Sequence, residues 1–162
     1  MLLVSLELAS AAAAPASPTQ FRNRVLALHN AERAAVRLPP LVWDNDLAAG
    51  ASAWGVHLAS TGLSDHSDRH ARRGIGENIW SAAHSAYRSD DGVKLWISDK
   101  RTFVPGVFPD VSTSGWYSVS HYTQIIWPRT RRIGCALASN GRADYLVCRY
   151  SPAGNIDGVR VP

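Results

Sequence analysis

The chain lacks several features that would have pointed elsewhere. No apolar run approaches the roughly 18 residues that a bilayer-spanning helix needs. Lysine is nearly missing: only Lys94 and Lys100 occur, so arginine carries the positive charge. There is no H-E-x-x-H and no C-x-x-C, which removes two familiar ways of writing a metal site. No internal repeat and no nucleic-acid-reading motif is visible, so no sequence-specific nucleic-acid partner is expected. Charged residues are scarce at 19% against 46% hydrophobic, a balance that argues against a disordered chain. At 162 residues the chain suits one domain with a real core.

Residues 1–18 differ from the rest. A short apolar run, Met1 to Leu8, leads into an Ala-rich stretch with Ala12, Ala14 and Ala16 spaced for an A-x-A cleavage site. The segment reads as a signal peptide, although it has no basic residue and Glu7 interrupts it; the alternative is a disordered Ala/Pro-rich tail. Export places the protein outside the cell, or in the periplasm of a bacterium. Residues 19–162 then form the domain. The net charge is +4, and its arginines cluster at Arg69, Arg72, Arg73 and at Arg129, Arg131, Arg132. Such clusters attract an anionic membrane surface or polysaccharide, or simply solvate a face.

Two apolar runs, residues 132–139 and 144–150, flank Asn140-Gly141 and predict a β-hairpin. Pairing Ser139 with Asp144 sets Cys135 opposite Cys148, within disulfide reach. An oxidising compartment closes that pair; a reducing one leaves two buried thiols. Upstream, Thr19 is expected to cap a helix with Phe21, Val25, Leu28 and Ala35 on one face, stopped at Pro39-Pro40. Asp44 caps a second, with the stripe Leu47, Ala51, Trp54 and Leu58. Residues 76–80 read as extended, Ser89-Asp90-Asp91 opens a third helix, residues 102–118 form a long loop, and a short helix ends at Pro128. Helices interleaved with a few strands predict an α+β fold: a three-layer α-β-α sandwich with a small central antiparallel sheet.

Polar residues inside apolar segments mark the candidate site: His66 before Ser67, Glu77 between Gly76 and Asn78, Asp99 after Trp96-Ile97-Ser98, and His121 at the head of an aromatic and aliphatic run. A buried carboxylate or imidazole needs a partner, and these four can serve one another. Asn78 and Gln124 are expected to satisfy backbone groups around the same cleft. His29 is expected to pair with backbone or pack within its helix, and His57, His70 and His84 to face solvent.

The order and spacing of these pieces resemble the CAP superfamily of cysteine-rich secretory, antigen 5 and pathogenesis-related 1 proteins. Residues 120–127 (SHYTQIIW) and 145–155 (YLVCRYSPAGN) are similar to its two signatures, and His66-Ser67, Gly76-Glu77-Asn78 and Trp96-x-x-Asp99 follow its pattern. The resemblance implies a cleft in which His66, Glu77, Asp99 and His121 hold a divalent metal, zinc foremost, chiefly through the histidines. Asp99 stands where the family usually has Glu; one methylene shorter, it is expected to act through water or as an acceptor for an imidazole N–H. The resemblance also implies an extracellular binding or defence-type module, with a lipid or sterol among its potential ligands. The alternative is a metal-dependent hydrolase using Glu77 as general base. Residues 152–162 resemble a tail that plant members release as a peptide; the plainer reading is a turn packed on the hairpin.

Overall fold

The computed structural model describes residues 17–88 and 90–162; the leader reading of residues 1–16 and the role given to Ser89 fall outside them. The first helix, α1 (Pro18–Ala35), is capped two residues earlier than the Thr19 expected. Ser17 caps it, accepting from Gln20 N while the Gln20 side chain accepts from Ser17 N, a reciprocal capping box. Its buried stripe is Val25, His29 and Arg33, one turn apart each time. His29 pairs with backbone as expected, Arg33 was not expected there, and both are satisfied. His29 bonds Val25 O at 2.8 Å and Tyr150 Oη at 2.9 Å. Burial lowers the His29 pKa to about 4, against the opposing bond to Val25.

Arg33 is more unusual, because no acid among the described residues pairs with its charge. Its guanidinium donates instead to the carbonyls of Pro39, Ile125, Trp127 and Thr130 at 2.8–3.0 Å. Burial and the nearby charge of Arg131 lower its pKa to about 10, so it stays cationic at neutral pH.

Strand β1 (Val42–Trp43) follows, then α2 (Asn45–Thr61), capped by Asp44, whose carboxylate accepts from Asp46 N and Leu47 N. Helix α2 ends at Gly62, whose φ of 73° is the left-handed conformation that glycine adopts without strain. Then come β2 (Gly76–Ala83), α3 (Asp91–Ser98), a 3-10 turn at Asp99–Thr102, β3 (Gly106–Val107) and a second 3-10 turn at Trp116–Val119. Helix α4 (Ser120–Ile125), β4 (Arg132–Ser139), β5 (Ala143–Ser151) and β6 (Arg160–Val161) complete the chain.

The main sheet runs β1-β4-β5-β2. The hairpin forms in the predicted register, with Ser139 opposite Asp144, and Cys135 and Cys148 are joined. A link spanning 13 residues stabilises the fold by about 3 kcal/mol in the chain-entropy account. One expectation is corrected: the sheet is mixed, not antiparallel, because β1 pairs with β4 in parallel. Two residue pairs are too short a ladder to leave a period in the sequence.

Alternation along β5 separates the layers. Leu146, Cys148 and Tyr150 join the larger core with Val25 of α1, Val93 and Trp96 of α3, and Ile125 of α4. Tyr145 and Val147 face Ala51 and Leu58 of α2. The tail closes the domain. It pairs with the 102–118 loop, β6 with β3, and the fully buried Val161 joins the core that β4 and β5 share.

Candidate functional site

Strand β2 lies at the sheet edge and brings the two halves of the site together. Successive side chains point to opposite faces, so Glu77 and Asn78 reach in opposite directions. Glu77 lies opposite Arg149 and Asn78 opposite Cys148. Asn78 donates to His121 O at 3.1 Å and to Tyr150 Oη at 3.3 Å, tying α4 to the sheet. Glu77 turns the other way, toward the loop that follows α2.

That carboxylate is enclosed, its side chain fully buried, and its oxygens are fully engaged. Oε1 accepts from His66 Nδ1 at 3.0 Å and Ser67 N at 2.9 Å, with Arg72 Nε 3.6 Å away. Oε2 accepts from Ser67 Oγ at 2.7 Å and Arg149 Nε at 3.3 Å. Burial pushes the Glu77 pKa upward, but the bonds from His66 and Ser67 and the charge of Arg72 outweigh it and hold the group at about 2. Arg149 also donates to Ser67 Oγ at 3.2 Å. It reaches this position across Gly50 of α2, where an added Cβ would stand 2.6 Å from its Nη1.

The second half is simpler. Asp99 sits in the turn after α3, and its Oδ2 accepts from His121 Nδ1 at 3.0 Å. The His121 ring stacks on Trp96, centroids 5.9 Å apart and planes at 20°. The four candidate residues therefore form two separate pairs, His66–Glu77 and His121–Asp99. No group of three or more potential ligands is gathered at one point among the described residues. In each pair the ionised carboxylate only accepts, so Nδ1 carries a proton, and the tautomer this selects has its lone pair on Nε2. Neither Nε2 is hydrogen-bonded among the described residues.

Both rings line one cleft of about 290 Å³, with Glu77, Asn78, Trp116, Tyr117, Ser120 and Asn155. Asp99 is not among the lining residues. A larger and more open depression between α2 and the end of β4, about 370 Å³, is lined by Val56, Leu137 and small or neutral polar residues without any titratable side chain. Gln124 ties α4 to the segments beside it: its Oε1 accepts from Gly154 N at 2.9 Å and its Nε2 donates to Thr130 Oγ1 at 3.3 Å. The Gln124 amide also presses against Gly76, where no side chain fits.

Reading the sequence alone left out Arg72, Arg149 and Ser67 as partners of Glu77. Arg72 belongs to the 69–73 cluster taken as a solvated face, yet it is half-buried and donates to Ser67 O and Ile75 O. Among the remaining histidines, His84 is not simply solvent-facing: it pairs with Asp144 at 2.7 Å. His57 stacks on Trp54 with centroids 4.5 Å apart.

Comparison with known proteins agrees with this architecture. The family model described as the cysteine-rich secretory protein family matches residues 26–150. The basic form of pathogenesis-related protein 1 of Nicotiana tabacum is 33% identical over 147 residues, covering 89% of this chain and 75% of the tobacco protein. Venom allergen 5 of Brachyponera chinensis is 30% identical over 166 residues, covering 86% of this chain and 82% of the allergen. Among solved structures, NaASP2 with Zn2+ superposes with a TM-score of 0.70 at 23% identity, over 86% of this chain and 83% of that one, a likeness of fold. With a family match across most of its length and relatives at this identity, the chain belongs to the cysteine-rich secretory protein family, CAP.

Proposed function

We propose that this CAP domain is a secreted binding module of the defence type whose cleft takes a divalent metal through the two imidazoles. The family relationship supports the extracellular reading, and among the described residues no helix is long and apolar enough to cross a membrane. The metal reading rests on one observation: His66 and His121 line the same cleft, each with Nδ1 held by a carboxylate and Nε2 unengaged. This is the arrangement in which a carboxylate orients a metal-binding imidazole from behind. Glu77 and Asp99 are then orienting groups, and water or a ligand group completes the shell. Two neutral imidazole nitrogens suit zinc. Bound there, zinc would supply a Lewis-acid anchor for an oxygen-bearing ligand.

The hydrolase reading is weaker on chemical grounds. It needs Glu77 as a base, but a carboxylate that accepts from Ser67, His66 and Arg149 and titrates at about 2 is a poor proton acceptor. Calorimetric titration of metal-free protein with zinc tests the proposal. Binding is expected at about pH 7.5, and its loss is expected at about pH 5.5 and in His66→Ala/His121→Ala. An unchanged isotherm in the double variant would place any zinc elsewhere.

A further inference from the structure

We propose that one end of the molecule, leading into the cleft, binds an acidic polysaccharide, with arginines from two loops gripping its anionic groups and Tyr117 stacking on a sugar ring. The two arginine clusters are far apart in sequence, but the fold joins them through residues 151–154. Ala153 N donates to Gly74 O at 2.8 Å, beside Arg73. Arg131 N donates to Ser151 O at 2.9 Å, and Thr130 Oγ1 donates to Pro152 O at 2.9 Å. The loop bearing Arg69 and Arg73 and the loop bearing Arg129 and Arg131 thus meet on this segment.

These four side chains are exposed, and none is ion-paired among the described residues, whereas Arg72 and Arg132 are engaged by Glu77 and Asp44. Asp68, the acid next to Arg69, turns one oxygen onto His70 N. Arg131 is pre-positioned, its Nη1 held by Pro128 O and Thr130 O while no hydrogen bond engages its other two nitrogens among the described residues. Four uncompensated guanidiniums across one segment present planar forks that match sulfate or carboxylate groups.

Two features favour a chain of sugars over a bilayer. Neither residues 69–73 (RHARR) nor 128–132 (PRTRR) carries a large apolar side chain to insert among lipids. The segment between them continues through Gly154 to Asn155, which lines the cleft together with Tyr117. Tyr117 is 75% exposed, yet its ring lies against Trp116 with centroids 3.7 Å apart and planes at 26°. Trp116 is braced in turn by Phe108. An aromatic ring held flat with one face open suits the apolar C–H face of a pyranose.

The inference rests on the extracellular reading above but not on the metal. The test is therefore run in EDTA, so that either proposal can fail alone. Affinity for a heparin oligosaccharide is measured against ionic strength for the full chain and for variants. Arg69→Ala/Arg73→Ala and Arg129→Ala/Arg131→Ala are each expected to weaken binding by about tenfold or more. Arg88→Ala/Arg142→Ala removes the same charge away from this segment, Arg142 beside Ala143 at the opposite end of the β2–β5 ladder and Arg88 beside Asp90 at 3.8 Å, and is expected to stay within about twofold. Tyr117→Ala is expected to lower affinity while leaving the salt dependence unchanged, since stacking releases no counterion. Equal losses in all three arginine pairs would reduce the effect to net charge and overturn the proposal. So would capture by phosphatidylcholine/phosphatidylserine vesicles with no binding of the oligosaccharide.

Discussion

The two histidine–carboxylate pairs look alike in a drawing of the cleft, with Nδ1 to oxygen distances of 3.0 Å in both. Their surroundings make them different objects. Glu77 is fully buried and shared among an imidazole, a serine and two arginines, so it holds the β2 edge, the 66–72 loop and Arg149 together. The Asp99 side chain is 25% exposed and has only His121 as a side-chain partner among the described residues. One pair is part of the architecture; the other is a local orienting contact.

The largest expected effect comes from breaking the first pair. Glu77→Gln leaves Arg149 and Arg72 facing a neutral amide and is expected to cost about 3–5 kcal/mol, read from urea unfolding. The acid limb of stability carries the same signature. Glu77 titrates at about 2 when folded against an ordinary 4.5. A carboxyl depressed by folding contributes its full stabilisation above its unfolded pKa, and that contribution is lost as pH falls toward the folded value. For this buried group the gap is worth about 3 kcal/mol. Unfolding free energy is therefore expected to decline below about pH 4.5 toward about pH 2, with a shallower limb in Glu77→Gln. The smallest effect on stability is expected at the second pair. Asp99→Asn should shift it by under about 1 kcal/mol, because the contact is partly exposed. The same change should weaken zinc about tenfold or more by releasing the His121 ring, seen by calorimetry. Equal stability losses in the two variants would erase the distinction between the pairs.

The hairpin and its disulfide were legible because an Asn-Gly turn and a period of two fix a register without reference to the rest of the fold. The Asp44 cap was legible for the same local reason. The environment of Glu77 was not. Its neighbours come from two separate places, the 66–72 loop and β5, and Arg149 is delivered only by the pairing of β2 with β5, which no local pattern announces. Gly50 offered a faint signal, a glycine inside an otherwise regular helix at the point where Arg149 crosses it. Arg33 gave none, since a cation held by main-chain carbonyls leaves no acid in the sequence pattern to point to it.

That last residue has a consequence for how the molecule opens. One guanidinium closes off the Pro39, Ile125, Trp127 and Thr130 carbonyls, so these four points share a single anchor. The end of α4 and the turn that follows it should behave as one cooperative unit in native-state hydrogen exchange. Their amides would be released together when α1 lifts away, and His121 would leave the cleft in the same event.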